Sequence, residues 1–320
     1  MRRIFLAALL MSTWASAETT PDADWAQSWL DQAYLPRHQA LSQTADQLAE
    51  NTAAFCQQQD NKTLSKVRLS WLASSHAWRS MDGAPGGPML LERLGRKIDF
   101  RPTRPDDIES AIKGGDSSNA ATRGLPAIEY LLWGNAQPKQ QLTRLKQTER
   151  CAYLVKLAEQ VASNTHTLDA GWQLYREQLA AENPFFRQNL LLENNNLMLT
   201  SLASMLKRLP SSAVAQQYAE WRSGSSKTQL LAQLDGFTLA QNAIIKRIKD
   251  RGDAALAQRF ATDLHQAQQQ CHALPSKLEF SQPRQRIPCS KAITQISQRL
   301  QNEVAQSLEL NLSLAESDGD

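Results

Sequence analysis

Apolar residues recur every three to four positions along most of the chain, which is the spacing that one face of an amphipathic helix requires. No segment alternates apolar and polar residues as a half-buried strand does. The pattern predicts an all-α fold of two up-and-down helical bundles packed together. Gly236 lies in the middle of a predicted helix, where glycine lowers helix stability by about 1 kcal/mol relative to alanine. We therefore expect a close packing contact that requires glycine at this position. The predicted long helices cover residues 24–58, 63–81, 141–181, 186–209, 227–250, 253–273 and 291–310.

Residues 82–124 interrupt this pattern with glycine- and proline-rich stretches. Only short helices are predicted there, over residues 89–97 and 106–113. Long irregular segments in compact domains usually carry function or move. This segment leads into a short, largely apolar helix over residues 123–134, whose single acid is Glu129. A carboxylate beside an apolar stripe needs a partner, so Glu129 is the first candidate site residue.

The pattern divides the chain into four parts. Residues 1–17 are typical of a signal peptide, because Arg2 and Arg3 precede an apolar run too short to span a bilayer and a small-residue cleavage site ends at Ala17. Residues 18–140 are predicted to form an N-terminal bundle that carries the irregular segment, and residues 141–312 a C-terminal bundle. Residues 313–320 are predicted to be a disordered tail.

The predicted leader indicates a soluble periplasmic protein with no integral membrane segment after cleavage. The net charge argues against one class of function. The chain has 35 basic and 32 acidic side chains, and removal of Arg2 and Arg3 leaves a net charge of +1. A chain with such a balance has no general attraction for nucleic acid, so nucleic-acid binding is not expected.

The four cysteines favour two disulfides over thiol chemistry or a thiolate metal site, because the chain is expected to be exported. No Cys-x-x-Cys motif occurs. Of the three possible connectivities we favour Cys56 with Cys151 and Cys271 with Cys289. The last two flank a proline-containing loop between two predicted helices.

Gly124, Pro126 and Glu129 have the spacing of a known signature. The segment resembles the Gly-x-His-x-x-Glu motif of the imelysin family of bacterial envelope proteins, with Pro126 at the position of the histidine. Three other segments resemble that family: Trp78 to Asp82 followed by Gly87-Pro88, the turn from Asp99 to Pro102, and the acid- and serine-bearing turn from Glu220 to Ser226.

The resemblance spans most of residues 24–310 and implies two related helical bundles with the signature near their junction. It also implies a connection with iron, and the family once had the label of metallopeptidases. The triplet Trp78-Arg79-Ser80 recurs as Trp221-Arg222-Ser223, which is consistent with a duplicated bundle.

We expect a ligand-binding pocket around Glu129 at the junction of the bundles. The alternative is structural, with Glu129 paired to Arg123 or accepting amide hydrogens from a loop. The candidate neighbours, chosen from the motifs, are Arg123, Tyr130, Trp78, Arg79, Asp82, Arg222 and Ser223.

Glu129 is also the candidate metal ligand at the motif. A divalent metal or iron is expected to bind there weakly or not at all, because Pro126 supplies no ligand atom. No catalytic residue is predicted. The histidines suggest no better site, since His76 stands alone near Trp78, His265 and His272 are two turns apart, His38 has no acidic partner one turn away, and His166 with Asp169 is typical of a surface contact.

Three functions remain open. The first is an exported imelysin-like, non-catalytic binding protein connected with iron or metal uptake, whose pocket takes a small molecule or an envelope protein. The second is a metallopeptidase, which is disfavoured because a catalytic zinc generally has three protein ligands and the motif supplies one carboxylate. The third is an envelope scaffold or partner-binding protein without a small-molecule site.

Overall fold

The computed structural model describes residues 23–310, apart from residues 84–85, 92, 116, 136–137, 182 and 212–213. The predicted signal peptide at residues 1–17 and the predicted tail at residues 313–320 lie outside the described residues. In the described part of the chain the fold is helical and contains no strand. None of the helices found there is both long enough and apolar enough to cross a bilayer.

The α-helices in chain order are α1 (Ala23–Trp29), α2 (Leu35–Gln57), α3 (Asn61–Asp82), α4 (Pro88–Leu91), α5 (Leu94–Ile98), α6 (Pro105–Ile112), α7 (Gly124–Trp133), α8 (Pro138–Leu145), α9 (Thr148–Ala180), α10 (Pro184–Lys207), α11 (Ser226–Asp250), α12 (Ala254–His272), α13 (Pro283–Arg299) and α14 (Ala305–Leu308). Single π-helical turns join α1 to α2 at Leu30–Tyr34 and α13 to α14 at Leu300–Val304. Short 3₁₀ turns lie at Ala120–Thr122, Ala215–Gln217 and Leu278–Phe280.

Some predicted helices are divided in the structure or begin at another residue. The short helix predicted over residues 89–97 is divided between α4 and α5. The helix predicted over residues 141–181 is divided between α8 and α9. The helix predicted to begin at residue 291 begins at Pro283, where Gln282 and Gln285 form a reciprocal capping box. Pro288 therefore lies inside α13 on an exposed face, where water can satisfy the carbonyl group that lost its helical donor.

The helices pack as two bundles. The first is built on α2, α3 and α9, with α7 against α3 and α9, and the second on α10, α11, α12 and α13. Large aromatic side chains fill both interiors, including Trp71 and Trp172 in the first and Phe237 and Phe260 in the second. The all-α, two-bundle prediction is confirmed. The domain boundary near residue 140 stays a prediction, and α9, which follows it in the chain, packs mainly against α2 of the first bundle.

The bundles meet where α3 crosses α11 at very short range. A β-carbon on Gly236 would lie 1.8 Å from the carbonyl oxygen of Ser80, and one on Gly83 would lie 2.0 Å from that of Gln233. Only glycine permits backbones to approach so closely. The buried Arg37 of α2 donates to the carbonyl oxygens of Ser80 at 2.9 Å and Gly236 at 2.7 Å, and thereby ties three helices together.

Both predicted disulfides are confirmed. Cys56 near the end of α2 is bonded to Cys151 near the start of α9, with Cα atoms 5.8 Å apart. Cys271 of α12 is bonded to Cys289 of α13, with Cα atoms 4.6 Å apart. In the chain-entropy model the first bond stabilises the fold more, because it closes a loop of 95 positions against 18 for the second.

Candidate functional site at the bundle junction

The position of α7 is set by the glycine at its start and by packing along its length. Gly124 has φ +71°, and a β-carbon there would lie 2.3 Å from the carbonyl oxygen of Ile98 at the end of α5. Trp71 of α3 donates its indole N–H to the carbonyl oxygen of Leu125 at 2.9 Å. These contacts hold the apolar helix inside the protein, and Glu129 is 0% exposed.

Glu129 of α7 is held by a residue of the second half of the chain. Ser223 donates its backbone N–H, at 2.9 Å, and its hydroxyl, at 2.8 Å, to Oε1 of Glu129. The other oxygen, Oε2, is buried and has no hydrogen-bond partner among the described residues. Burial raises the pKa of Glu129, because it disfavours the charged form, and the Arg101 guanidinium partly offsets this.

A second buried acid, Glu220, begins the turn that carries Ser223. Its backbone lies in the left-handed region at φ +57°, which costs a non-glycine residue about 1 to 3 kcal/mol. Its carboxylate pairs with Arg79 at 2.7 Å, Arg101 at 2.9 Å and Arg208 at 2.5 Å. Burial opposes ionisation of Glu220, but the three guanidinium groups outweigh it and hold the pKa of this carboxyl well below its usual range. The ion pairs therefore fix the strained turn.

Asp82 and Asp99 complete this set of charges. Arg79 pairs with Asp82 at 3.0 Å and with Asp99 at 2.6 Å, and Arg101 pairs with Asp99 at 3.1 Å. Gln233 of α11 donates to Asp82 at 3.0 Å. Three arginines thus face three carboxylates, which offsets the cost of burying each charge. We call the junction cluster the six residues Arg79, Asp82, Asp99, Arg101, Arg208 and Glu220.

An open pocket of about 360 Å³ lies beside the junction cluster. The Arg222 guanidinium lies over the rings of Trp221, 4.7 Å from its centre, and Tyr130, 5.6 Å from its centre. Arg222 also donates to Oδ1 of Asn135 at 3.1 and 2.9 Å. Arg101 reaches from the pocket into the junction cluster, so it belongs to both. The lining residues are Arg101, Pro102, Thr103, Gln216, Gln217, Tyr218, Ala219, Trp221 and Arg222.

The structure brings most of the predicted site residues to the junction. Glu129 contacts Ser223, Arg222 lies over Tyr130, and Arg79 and Asp82 belong to the junction cluster. Two candidates have other contacts: Trp78 is buried with its ring beside Gly95 of α5, and Arg123 donates to the carbonyl oxygens of Ser117 and Ser118 in the loop before α7. Glu129 therefore accepts an amide hydrogen from a turn, the backbone N–H of Ser223, which is one form of the structural alternative. The other form, an ion pair with Arg123, is not present among the described contacts of Arg123.

Five residues of the junction were missing from the predicted set. Glu220 and the turn carrying Asp99 and Arg101 lie in segments that resemble the family, yet a resemblance of segments assigns no ion pairs. Arg208 and Gln233 had no sequence signal. An ion pair such as Arg79 with Glu220 joins positions 141 apart and leaves no local pattern to read.

The donor set at Glu129 does not fit a metal ion. Oε1 already accepts two hydrogen bonds from Ser223, and the nearest charged side chains include the cations Arg101 and Arg222. Pro126, one turn earlier, is buried and has no ligand atom. Within the described ranges no group of three or more His, Cys, Asp or Glu side chains is arranged to hold a metal. A divalent ion bound to Glu129 would lie near the cations Arg101 and Arg222 and would have too few anionic ligands.

The histidines lie outside the junction. The His38 ring is buried 4.9 Å from the Trp172 ring, and burial holds its pKa well below the usual range. His166 contacts Oδ1 of Asp46 at 2.8 Å and the hydroxyl of Ser42 at 3.1 Å, and so bridges α9 to α2 in place of the contact with Asp169 that the spacing suggested. The remaining three, which are exposed, are His76, His265 and His272.

The fold and the junction define an all-helical protein of two bundles whose signature acid is held across their interface. The imelysin family model matches residues 34–310. The chain belongs to the imelysin family. No curated protein matches the chain.

Two solved structures are similar over almost their whole length. An imelysin-like protein from Psychrobacter arcticum 273-4 is 16% identical with a TM-score of 0.76, covering 92% of this chain and 98% of that one. A protein from Parabacteroides distasonis ATCC 8503, provisionally named iron-regulated protein A precursor, is 15% identical with a TM-score of 0.75, covering 91% and 97%. At these identities the likeness shows a shared fold.

Proposed function

We propose that this protein is an exported, non-catalytic binding protein that takes part in iron or metal uptake and binds its ligand at the bundle junction. The observation that carries the proposal is the open pocket bounded by Arg101 and Arg222, which both interact electrostatically with the buried Glu129. A concave site onto which a few polar groups converge is the usual form of a small-molecule site.

Export is supported by two independent features. Residues 1–17 have the basic start, short apolar run and small-residue end of a signal peptide. The two disulfides are typical of proteins that fold in an oxidising compartment such as the periplasm. The connection with iron is supported by membership of the family and by the name of the similar Parabacteroides distasonis protein.

The chemistry of the junction supports a binding role over peptide hydrolysis. A zinc peptidase generally has three protein ligands and a group that manages the attacking water. Glu129 lacks companion ligands, and Glu220 is enclosed by three arginines that keep it ionised and occupied. We expect purified protein to leave casein intact. Chelator-sensitive cleavage that is lost in Glu129→Ala would contradict a non-catalytic role.

The test is native mass spectrometry of protein purified from the periplasm, with Arg222→Gln as the junction variant. The exposed Arg259 of α12, which pairs with Glu303 and does not line the pocket, offers a matched control, because Arg259→Gln removes the same charge outside the pocket. We expect wild type and Arg259→Gln to carry a bound small molecule or partner that Arg222→Gln has lost. Wild-type protein that is exported but carries no bound species would favour a scaffold.

A further inference from the structure

The pocket beside the junction cluster is basic. Two of its lining residues are the arginines Arg101 and Arg222, and none of the lining residues that the structure describes is acidic. The neighbouring carboxylates Asp99 and Glu220 are already paired with Arg101 and do not line the pocket. A pocket with this lining attracts an anion and repels a cation.

The Arg222 guanidinium is fixed without a carboxylate partner. Its described contacts are the amide oxygen of Asn135 and the rings of Trp221 and Tyr130. In the described parts of the chain no carboxylate lies within ion-pair distance of it, and its strongest electrostatic neighbour is Glu129. Stacking and the Asn135 contact hold the planar guanidinium in place, so little side-chain freedom is lost when an anion binds.

The Arg101 side chain is held by two carboxylates of the junction cluster. It donates to Asp99 at 3.1 Å and to Glu220 at 2.9 Å, and about a quarter of its side chain remains exposed at the pocket. The junction cluster therefore supplies a rigid support for one side of the pocket. Rigid, pre-positioned arginines are the usual means by which proteins recognise carboxylate and phosphate groups.

The other walls favour an organic ligand over a bare ion. Trp221 and Pro102 offer apolar surface, and Thr103, Gln216 and Gln217 offer neutral hydrogen-bonding groups. Tyr218 also lines the pocket but is only 1% exposed, and its ring lies under the Arg286 guanidinium. A volume of about 360 Å³ lies at the small end of the range for ligand pockets, which limits the ligand to a small molecule.

We propose that this pocket binds a small organic anion, with its carboxylate or phosphate group between Arg101 and Arg222 and its apolar part against Trp221. The inference rests on the proposed binding function and adds the chemical class of the ligand.

Calorimetry at low ionic strength tests the ligand class with four probes. Benzoate and phenyl phosphate carry an anionic group on an aromatic ring, inorganic phosphate carries the group alone, and benzamide is the neutral counterpart of benzoate. We expect the two aromatic anions to bind and benzamide to bind at least tenfold more weakly. Tighter binding of benzoate assigns a carboxylate ligand, and tighter binding of phenyl phosphate with measurable inorganic phosphate binding assigns a phosphate ligand.

Two variants change the pocket in different ways. Arg222→Gln removes one cation, and Gln217→Glu adds a carboxylate to the exposed wall while leaving both arginines. Each should weaken binding of the anionic probes about tenfold or more, whereas Arg259→Gln should not change it. Thermal unfolding of all three variants shows whether they are folded.

The proposal is overturned if wild type binds neither aromatic anion, if benzamide binds as tightly as benzoate, or if folded Arg222→Gln and Gln217→Glu bind as wild type does. Native mass spectrometry separates this failure from that of the proposed function. A neutral natural ligand lost in Arg222→Gln would overturn the anion class and leave a binding protein. Periplasmic protein without any bound species, together with failure of the probes, would overturn both.

Discussion

Ser223 donates two hydrogen bonds to one oxygen of Glu129, although 94 positions separate these residues along the chain. A second contact runs in the opposite direction. Arg79 of the first bundle pairs with Glu220 in the turn before α11. Each half of the chain thus holds an acid that belongs to the other. The two Trp-Arg-Ser triplets have different roles here, since Arg79 forms ion pairs and Arg222 lies over aromatic rings.

Glu220→Gln should destabilise the protein by about 3 to 5 kcal/mol at pH 7. The substitution leaves Arg79, Arg101 and Arg208 around a neutral group, so buried positive charges lose their main counter-charge. Urea denaturation followed by circular dichroism measures the change. A loss below about 1 kcal/mol, which is typical of an exposed ion pair, would contradict the structure of the junction cluster.

The lowered pKa of Glu220 predicts that the stability of the protein depends on pH. The pKa of Glu220 is lowered in the folded protein from its ordinary value of 4.5, so its contribution to stability is fully present above about pH 4.5 and is lost as the pH falls towards the folded pKa. The stability difference between wild type and Glu220→Gln should therefore shrink below pH 4.5. A difference that stays constant between pH 7 and the most acidic condition at which both proteins fold would contradict this assignment.

Glu129→Gln should have the opposite effect and stabilise the protein at neutral pH. The pKa of Glu129 is raised by burial, so keeping it charged costs stability above the folded pKa, and this cost disappears below the ordinary glutamate pKa of 4.5. Glutamine keeps an oxygen that accepts from Ser223. Denaturation at pH 7 and pH 4 should show the gain only at pH 7, whereas Glu129→Ala should lose about 1 to 3 kcal/mol because it leaves the Ser223 donors unpaired.

Gly236→Ala should separate the bundles and lower stability by about 1 to 3 kcal/mol or more, because its β-carbon would lie 1.8 Å from the carbonyl oxygen of Ser80. Gly95→Ala is the matched control. Its β-carbon would have its nearest contact with Trp78 at 3.9 Å, so alanine should be neutral or gain about 0.5 to 1 kcal/mol. Equal thermal stability of the two variants would argue against a close approach of α3 and α11.

The sequence predicts what local periodicity and spacing determine. Apolar spacing located the long helices, Gly236 pointed to a close contact, and the flanking helices suggested the pairing of Cys271 with Cys289. The family motifs made Ser223 a candidate neighbour of Glu129, and the structure brings the two residues into contact. The ion pairs of Arg208 and the position of Arg123 could not be predicted, because each depends on where a long side chain points in the assembled fold.

Pro126→His tests whether the remaining residues can support a metal. A histidine there would lie one helical turn before Glu129, a spacing that can direct both side chains to one ion. The variant should gain zinc or iron binding if other ligands are still in place, and adding Glu129→Ala should cancel the gain. Calorimetry measures both steps. Binding that survives loss of Glu129 would locate the metal elsewhere on the protein.

The most direct measurement is calorimetry of the wild-type protein with Zn²⁺ and Fe²⁺, with Glu129→Ala titrated in parallel. If the junction is a metal-independent binding site, wild type and Glu129→Ala should show the same weak or undetectable binding of both ions. Tight stoichiometric binding by wild type that is lost in Glu129→Ala would contradict the account and show that Glu129 holds a metal without a histidine at position 126.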